Sequence, residues 1–245
     1  MYKKILGVDL NYINYGKKNK PTIVYLHGWG QNIQMMQPIA DPFQKDFNIL
    51  IIDLPGHGSS SEPSYAWEFP KFVECIHELL KELKIEKPIM VGHSFGGKIS
   101  LLYASMYEVE KLVLLGSPFR KAIKKLSLKT KILKKAASIK GIDKLAEIAK
   151  KHIGSTDYKN ASPIMREILV NHVNCDITEE VKKIKAEALI IWGTADDAVP
   201  IDDAYLLESL LKNAAVIPFE GNTHYAYLER LGQTINILHS FLESR

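Results

Sequence analysis

Ser94 stands between two glycines in the run Gly92-His93-Ser94-Phe95-Gly96. The spacing G-x-S-x-G belongs to a sharp strand-to-helix turn that presents a serine hydroxyl clear of the backbone. An apolar run, Pro88-Ile89-Met90-Val91, precedes it, and Lys98-Ile99-Ser100-Leu101-Leu102-Tyr103-Ala104 follows with helical character. A serine hydroxyl is a weak nucleophile by itself. It needs a general base, and the base needs a carboxylate to orient it. Two later segments offer both. The run Ala188-Leu189-Ile190-Ile191-Trp192 ends in Gly193-Thr194-Ala195-Asp196-Asp197-Ala198-Val199-Pro200, so Asp196 or Asp197 supplies the acid. The run Ala215-Val216-Ile217-Pro218-Phe219 leads into Glu220-Gly221-Asn222-Thr223-His224, and His224 supplies the base. Attack on a carbonyl also builds an oxyanion that needs donors. The Phe95 N–H, at the start of a helix whose dipole favours negative charge, is one. The Trp29 N–H in His27-Gly28-Trp29-Gly30 is the other.

These groups can meet only if strands deliver them to one edge. Thr22–Leu26, Asn48–Ile52, Pro88–Val91, Lys111–Leu115, Ala188–Trp192 and Ala215–Phe219 are short and almost continuously apolar. That pattern marks parallel strands covered on both faces. Helical spacing separates them: Phe72, Ile76, Leu79, Leu80 and Leu83; then Ile99, Leu102 and Tyr103; then Leu206, Leu207, Leu210 and Leu211; then Leu231, Ile235, Leu238 and Leu242. Alternating strands and helices predict a parallel α/β sheet. Gly7–Gly16 alternates instead and predicts an antiparallel edge hairpin. The rhythm stops at Pro118 and resumes near Lys185, which predicts a helical insertion over one edge of the sheet.

Composition narrows the class further. The 245 residues are 46% hydrophobic and 24% charged, ordinary for a globular chain. No apolar run is long enough for a membrane span, and the N-terminus lacks the apolar core of a signal peptide. Two cysteines, Cys75 and Cys175, suit a reducing compartment, and the expected location is cytoplasmic. They are too few for a cysteine-based structural metal site.

The motifs HGWG, DLPGHGSS (Asp53 to Ser60), GHSFGG, GTADDAVP and GNTHYAYLER occur in that order. In them the sequence resembles the α/β-hydrolase superfamily, in its capped single-domain serine hydrolase branch. The likeness runs from about residue 20 to the end, apart from the insertion. With Gln31-Asn32 and Asp53-Leu54-Pro55-Gly56 it is also similar to the pimeloyl-carrier-protein methyl ester esterases and to related bacterial hydrolases. The resemblance implies an α/β fold: a mostly parallel sheet, helices on both faces, and an inserted helical cap. The core is then residues 1–117 and 186–245, and the cap residues 118–185. It implies Asp196 as the acid, with Asp197 as the fallback. Ser94 argues against the dehalogenases and epoxide hydrolases, which use an aspartate nucleophile. The expected activity is hydrolysis of a carboxylic ester by Ser94, His224 and Asp196, with Trp29 and Phe95 as the oxyanion hole. Neither metal nor organic cofactor is required. The alternatives are C–C bond hydrolysis, lyase or perhydrolase chemistry on the same triad, or a ligand-binding receptor with little turnover. The residues that bind the substrate are not readable.

Other residues have structural readings. His27 organises the oxyanion loop, His57 and Asp53 shape a turn, and His93 points away from the reacting atoms. Cys75 fills a core face, and Glu229 pairs with a nearby arginine. Pro118 to Asp176 holds fourteen lysines and arginines against five acids. Its plain reading is a solvated face over apolar helices. The alternative is a docking surface for an acidic carrier protein or an anionic membrane surface. No recognition motif supports nucleic acid.

Overall fold

Each of the expected apolar runs is a strand, and its alternate residues feed two separate cores. The computed structural model describes residues 1–121 and 161–243. The strands are β1 (Tyr2–Ile5), β2 (Val8–Gly16), β3 (Thr22–Leu26), β4 (Asn48–Ile52), β5 (Ile89–His93), β6 (Lys111–Leu115), β7 (Glu187–Gly193) and β8 (Ala214–Phe219). They form one sheet in the order β1-β2-β4-β3-β5-β6-β7-β8. From β4 to β8 all pairings are parallel, while β2 runs antiparallel to β4 and β1 to β2.

The described helices are α1 (Ile33–Ala40), α2 (Phe69–Glu82), α3 (Phe95–Met106), α4 (Pro163–Asn174), α5 (Thr178–Val181), α6 (Ile201–Leu210), α7 (Ala226–Glu229) and α8 (Leu231–Glu243). Val24, Leu50, Met90, Leu112 and Ile190 face one way and pack with Phe72, Ile76, Ile99, Leu102 and Leu207 of α2, α3 and α6. Ile23, Ile49, Val91, Val113 and Ile191 face the other way and pack with Met36, Ile39 and Leu238 of α1 and α8. Helices therefore cover both faces, and the four central strands β3, β4, β5 and β6 are buried along their full lengths.

Three details differ from the sequence reading. The edge hairpin has a first strand, Tyr2–Ile5, that was not anticipated, joined through Leu6 and Gly7, both at positive φ. Such a two-residue turn suits the twist of a hairpin. The strand β8 is a half-exposed edge rather than a strand covered on both faces. Helix α1 was not anticipated; it is short and contains Pro38.

Within 118–185, helices α4 and α5 lie among the described residues, and no strand does. Lys124, Lys125, Lys134 and Lys135, central to the basic stretch, lie outside the described residues. Among the described residues no helix is long and apolar enough to cross a membrane.

The strand order places β4 and β5 on opposite sides of β3. A crevice opens at the carboxyl ends of strands where the order reverses, and ligands bind there in open α/β sheets. Ser94 follows β5 and the His27–Gln31 turn follows β3, so both sit at this crevice.

Candidate active site

Ser94 has φ 50° and ψ −110°, left-handed backbone that a residue with a side chain rarely adopts. Holding it there costs about 1–3 kcal/mol, and such strain persists only where the surroundings enforce it. Its N–H donates to the Leu115 carbonyl of β6 at 3.0 Å, and its carbonyl accepts the Lys98 N–H at 3.0 Å. The flanking glycines follow from close approach. A Cβ on Gly92 would lie 2.5 Å from the Gly97 Cα, and one on Gly96 would lie 2.4 Å from the Leu26 carbonyl oxygen. The turn thus folds β5 tightly onto α3 and α3 onto the end of β3. Between Pro88 and Tyr103, Ser94 is the one residue that is not buried.

Asp196 and His224 meet. The His224 Nδ1 lies 2.7 Å from the Asp196 Oδ2. A carboxylate only accepts, so Nδ1 carries the proton and Nε2 is left as the basic nitrogen. The other carboxylate oxygen, Oδ1, accepts the N–H groups of Ala198 at 2.9 Å and Val199 at 2.8 Å. Gly116 lies under this pair at φ 54°, where a side chain is strained, and a Cβ would stand 3.1 Å from the His224 Nδ1, close enough that the ring would have to give way. Asp197 is exposed and lines the neighbouring cavity instead. Of the two adjacent acids, the structure brings Asp196 to the histidine.

A cavity of about 420 Å³ joins these groups. Ser94, His224, Gly28 and Trp29 are in its lining, together with Leu169 and Val173 of α4. The Trp29 ring packs edge-on against His57 and Phe95, and the Phe95 side chain is wholly buried in the core. Phe95 begins α3, so its N–H is one of the helix's unbonded N-terminal donors. Among the described residues neither the Trp29 N–H nor the Phe95 N–H donates to a protein acceptor.

The surrounding histidines hold loops. The His27 Nδ1–H donates to the Gly28 carbonyl at 2.7 Å, and its Nε2 accepts the Leu54 N–H at 3.0 Å. Burial lowers its pKa to about 4. The His93 Nε2–H donates to the His224 backbone carbonyl at 3.1 Å, and burial holds His93 neutral with a pKa lowered to about 3. The His57 Nδ1–H donates to the Pro55 carbonyl at 3.0 Å. Asp53 accepts from the Ile33 N–H, the Ser59 N–H and the Asn11 side chain, tying β2, α1 and the Asp53–Ser60 turn together. Cys75 is a buried filler of the α2 face, as its position suggested.

Glu229 does something other than pair with an arginine. Its carboxylate accepts the Thr223 N–H at 2.9 Å, the Asn222 amide at 2.8 Å and the Thr223 hydroxyl. It clamps the two residues before His224. Arg230 donates to the Asn222 side-chain oxygen at 3.1 Å instead. Gln31 also holds this loop, accepting the Gly28 N–H at 2.9 Å and closing the Gly28–Gln31 turn. Sequence reasoning missed these roles; the signal for Gln31 was its place three residues beyond the Gly28 turn. Among the described residues, no three histidine, cysteine or acidic side chains gather as a metal site would require.

The fold is that of a known class, and comparison with known proteins agrees. The family described as the alpha/beta hydrolase fold matches residues 21–131. The AB hydrolase superfamily protein YisY of Bacillus subtilis is 25% identical over 91% of this chain and 91% of its own length. The monoacylglycerol lipase ABHD6 of Mus musculus is 24% identical over 99% of this chain and 85% of its own. The solved enol-lactonase of Burkholderia xenovorans LB400 superimposes with a TM-score of 0.79 at 22% identity, covering the whole of both chains. The chain has the α/β-hydrolase fold, and in that fold it is similar to known hydrolases.

Proposed function

We propose that the protein is a serine hydrolase of carboxylic esters, with Ser94 as nucleophile, His224 as base and Asp196 as the orienting acid. The observation that carries this is the Asp196–His224 contact at 2.7 Å, in a site where a strained Ser94 opens into the same cavity as the imidazole. Ser94 Oγ attacks the ester carbonyl carbon while the His224 Nε2 takes the hydroxyl proton. The tetrahedral oxyanion receives hydrogen bonds from the N–H groups of Trp29 and Phe95. The C–O bond to the alcohol then breaks, and His224 returns the proton to the departing alkoxide. Water, deprotonated by His224, cleaves the acyl-enzyme and restores Ser94. Residues 118–185 serve in this reading as a cap, supported by α4, which forms one wall of the cavity.

Labelling with a fluorophosphonate, followed by a panel of acyl esters on wild-type protein and Ser94→Ala, tests the proposal. The expected result is a label on Ser94 and ester turnover that Ser94→Ala abolishes. Turnover that survives in Ser94→Ala, or tight ester binding without turnover in the wild type, would overturn it.

A further inference from the structure

Lys98 sits on α3 one turn beyond Ser94, in a helix otherwise apolar or small from Phe95 to Leu102. Its residue is 1% exposed, yet it contributes to the lining of the Ser94 cavity. The ammonium donates to the backbone carbonyls of His172 at 3.0 Å and Cys175 at 2.5 Å, at the C-terminal end of α4. It also stands 5.4 Å above the Phe69 ring. The negative end of a helix dipole favours a cation at this place. An ammonium has three protons, however, and the described residues provide two acceptors. None of the described carboxylates pairs with it; Asp176 acts on it only through its longer-range field. A buried cation without a counter-ion is costly.

The neighbouring wall shows a second unfilled valence. His172 is 7% exposed, lines the same cavity, and stacks on Phe69 with ring centroids 5.4 Å apart. Among the described residues its Nδ1 is buried without a hydrogen-bond partner. Burial and the Lys98 charge lower its pKa to about 3, so its ring is a neutral donor or acceptor. The remaining charges of the lining are placed otherwise: Arg120 is bound to Asp203, and Asp197 is exposed.

We infer that Lys98 and His172 form an anion subsite in the wall of the Ser94 cavity, which takes a carboxylate carried by the substrate in addition to its scissile ester. The third ammonium proton and an imidazole N–H donate to the two carboxylate oxygens. One helical turn, about 5.4 Å, separates Lys98 from Ser94 along α3, so the carboxylate stands a few methylene groups from the ester carbonyl. The inference rests on the ester-hydrolase reading and specifies its substrate class.

The test compares kcat/KM for mono-4-nitrophenyl adipate and 4-nitrophenyl hexanoate, which differ in a terminal carboxylate against a methyl. Wild-type protein should prefer the adipate ester. Lys98→Met should lower the adipate-to-hexanoate ratio about tenfold or more, chiefly through KM, while Lys98→Arg keeps most of it. His172→Phe should lower the ratio by a smaller factor. Equal loss on both esters would make Lys98 a latch for α4 and nothing more, and would overturn the inference. So would a wild-type protein without the preference. Added adipate should also inhibit wild-type turnover of the hexanoate ester more strongly than added hexanoate does. Equal inhibition would sink the subsite even if Lys98→Met did not fold. A wild-type protein that neither labels at Ser94 nor cleaves the hexanoate ester marks failure of the ester-hydrolase reading itself.

Discussion

The floor and the wall of the cavity treat their polar groups in opposite ways. On the floor, both oxygens of Asp196 are engaged, by two backbone N–H groups and by His224. Glu229 is engaged just as fully by the residues before that histidine. On the wall, among the described residues, the His172 Nδ1 has no partner and Lys98 has more protons than acceptors. A group whose valences are filled by protein is held in one geometry before any ligand arrives, which is what catalysis needs of an acid and a base. A buried group left short is held in place but keeps capacity for a ligand. In the proposed reading, reaction geometry and ligand choice are thus divided between the sheet edge and the α3–α4 wall.

Substitutions can sharpen or break that division. The largest effect belongs to the nucleophile: Ser94→Ala should lower kcat by about 10⁴ or more, because the members of such a triad act as a unit. Its melting temperature should stay near that of the wild type. The two adjacent acids come next. Asp196→Asn should reduce kcat by about 10⁴, since the imidazole tautomer is no longer enforced. Asp197→Asn, which has no bond to His224, should change kcat by less than about tenfold, and the reverse order would move the acid by one residue. A smaller effect follows from the clamp. Glu229→Ala should lower kcat by about tenfold with little change in KM, because it frees the His224 loop while leaving the cavity wall untouched. If KM rose while kcat held, the assignment of floor to geometry would break.

Sequence alone carried the floor much further than the wall. Ser94, Asp196 and His224 follow strand ends, and short apolar strands announce themselves by composition. The tight turn at Ser94 was legible because backbone crowding leaves few residues but glycine. The wall depends on tertiary contacts between distant segments. Lys98 and His172 are 74 positions apart, and nothing local says that the ammonium of one meets the carbonyl of the other. One clue was available: a lysine inside the apolar run Phe95–Tyr103 must be buried with a polar partner. Glu229 was misread because its neighbour in sequence, Arg230, offered an ion pair. The backbone turn at Asn222 and Thr223 offers the carboxylate more hydrogen bonds than one guanidinium would. Helix α1 escaped because its eight residues, interrupted by Pro38, are too short for a periodic pattern.

The histidines that hold these loops also set the acid limit of the fold. His27 is lowered to about 4, and His93 and His172 to about 3, each because burial disfavours the charged ring; His57 shifts the same way. Unfolded, each would take a proton near pH 6.5. Above that pH both states leave the rings neutral, and folding gains or loses nothing from them. Below it the unfolded chain binds protons that the native one refuses, so stability falls as the pH falls. Each ring contributes about 1.4 kcal/mol per pH unit, and the three valued above together about 4, until their native values are reached. Against a typical domain stability of about 5–15 kcal/mol, that withdraws most of the margin within about two to three units. A circular-dichroism titration should find the unfolding midpoint between about pH 4 and 5, and a chain still native at pH 3.5 would refute this account. The loop supports that assemble the site at neutral pH should therefore behave as acid-labile joints.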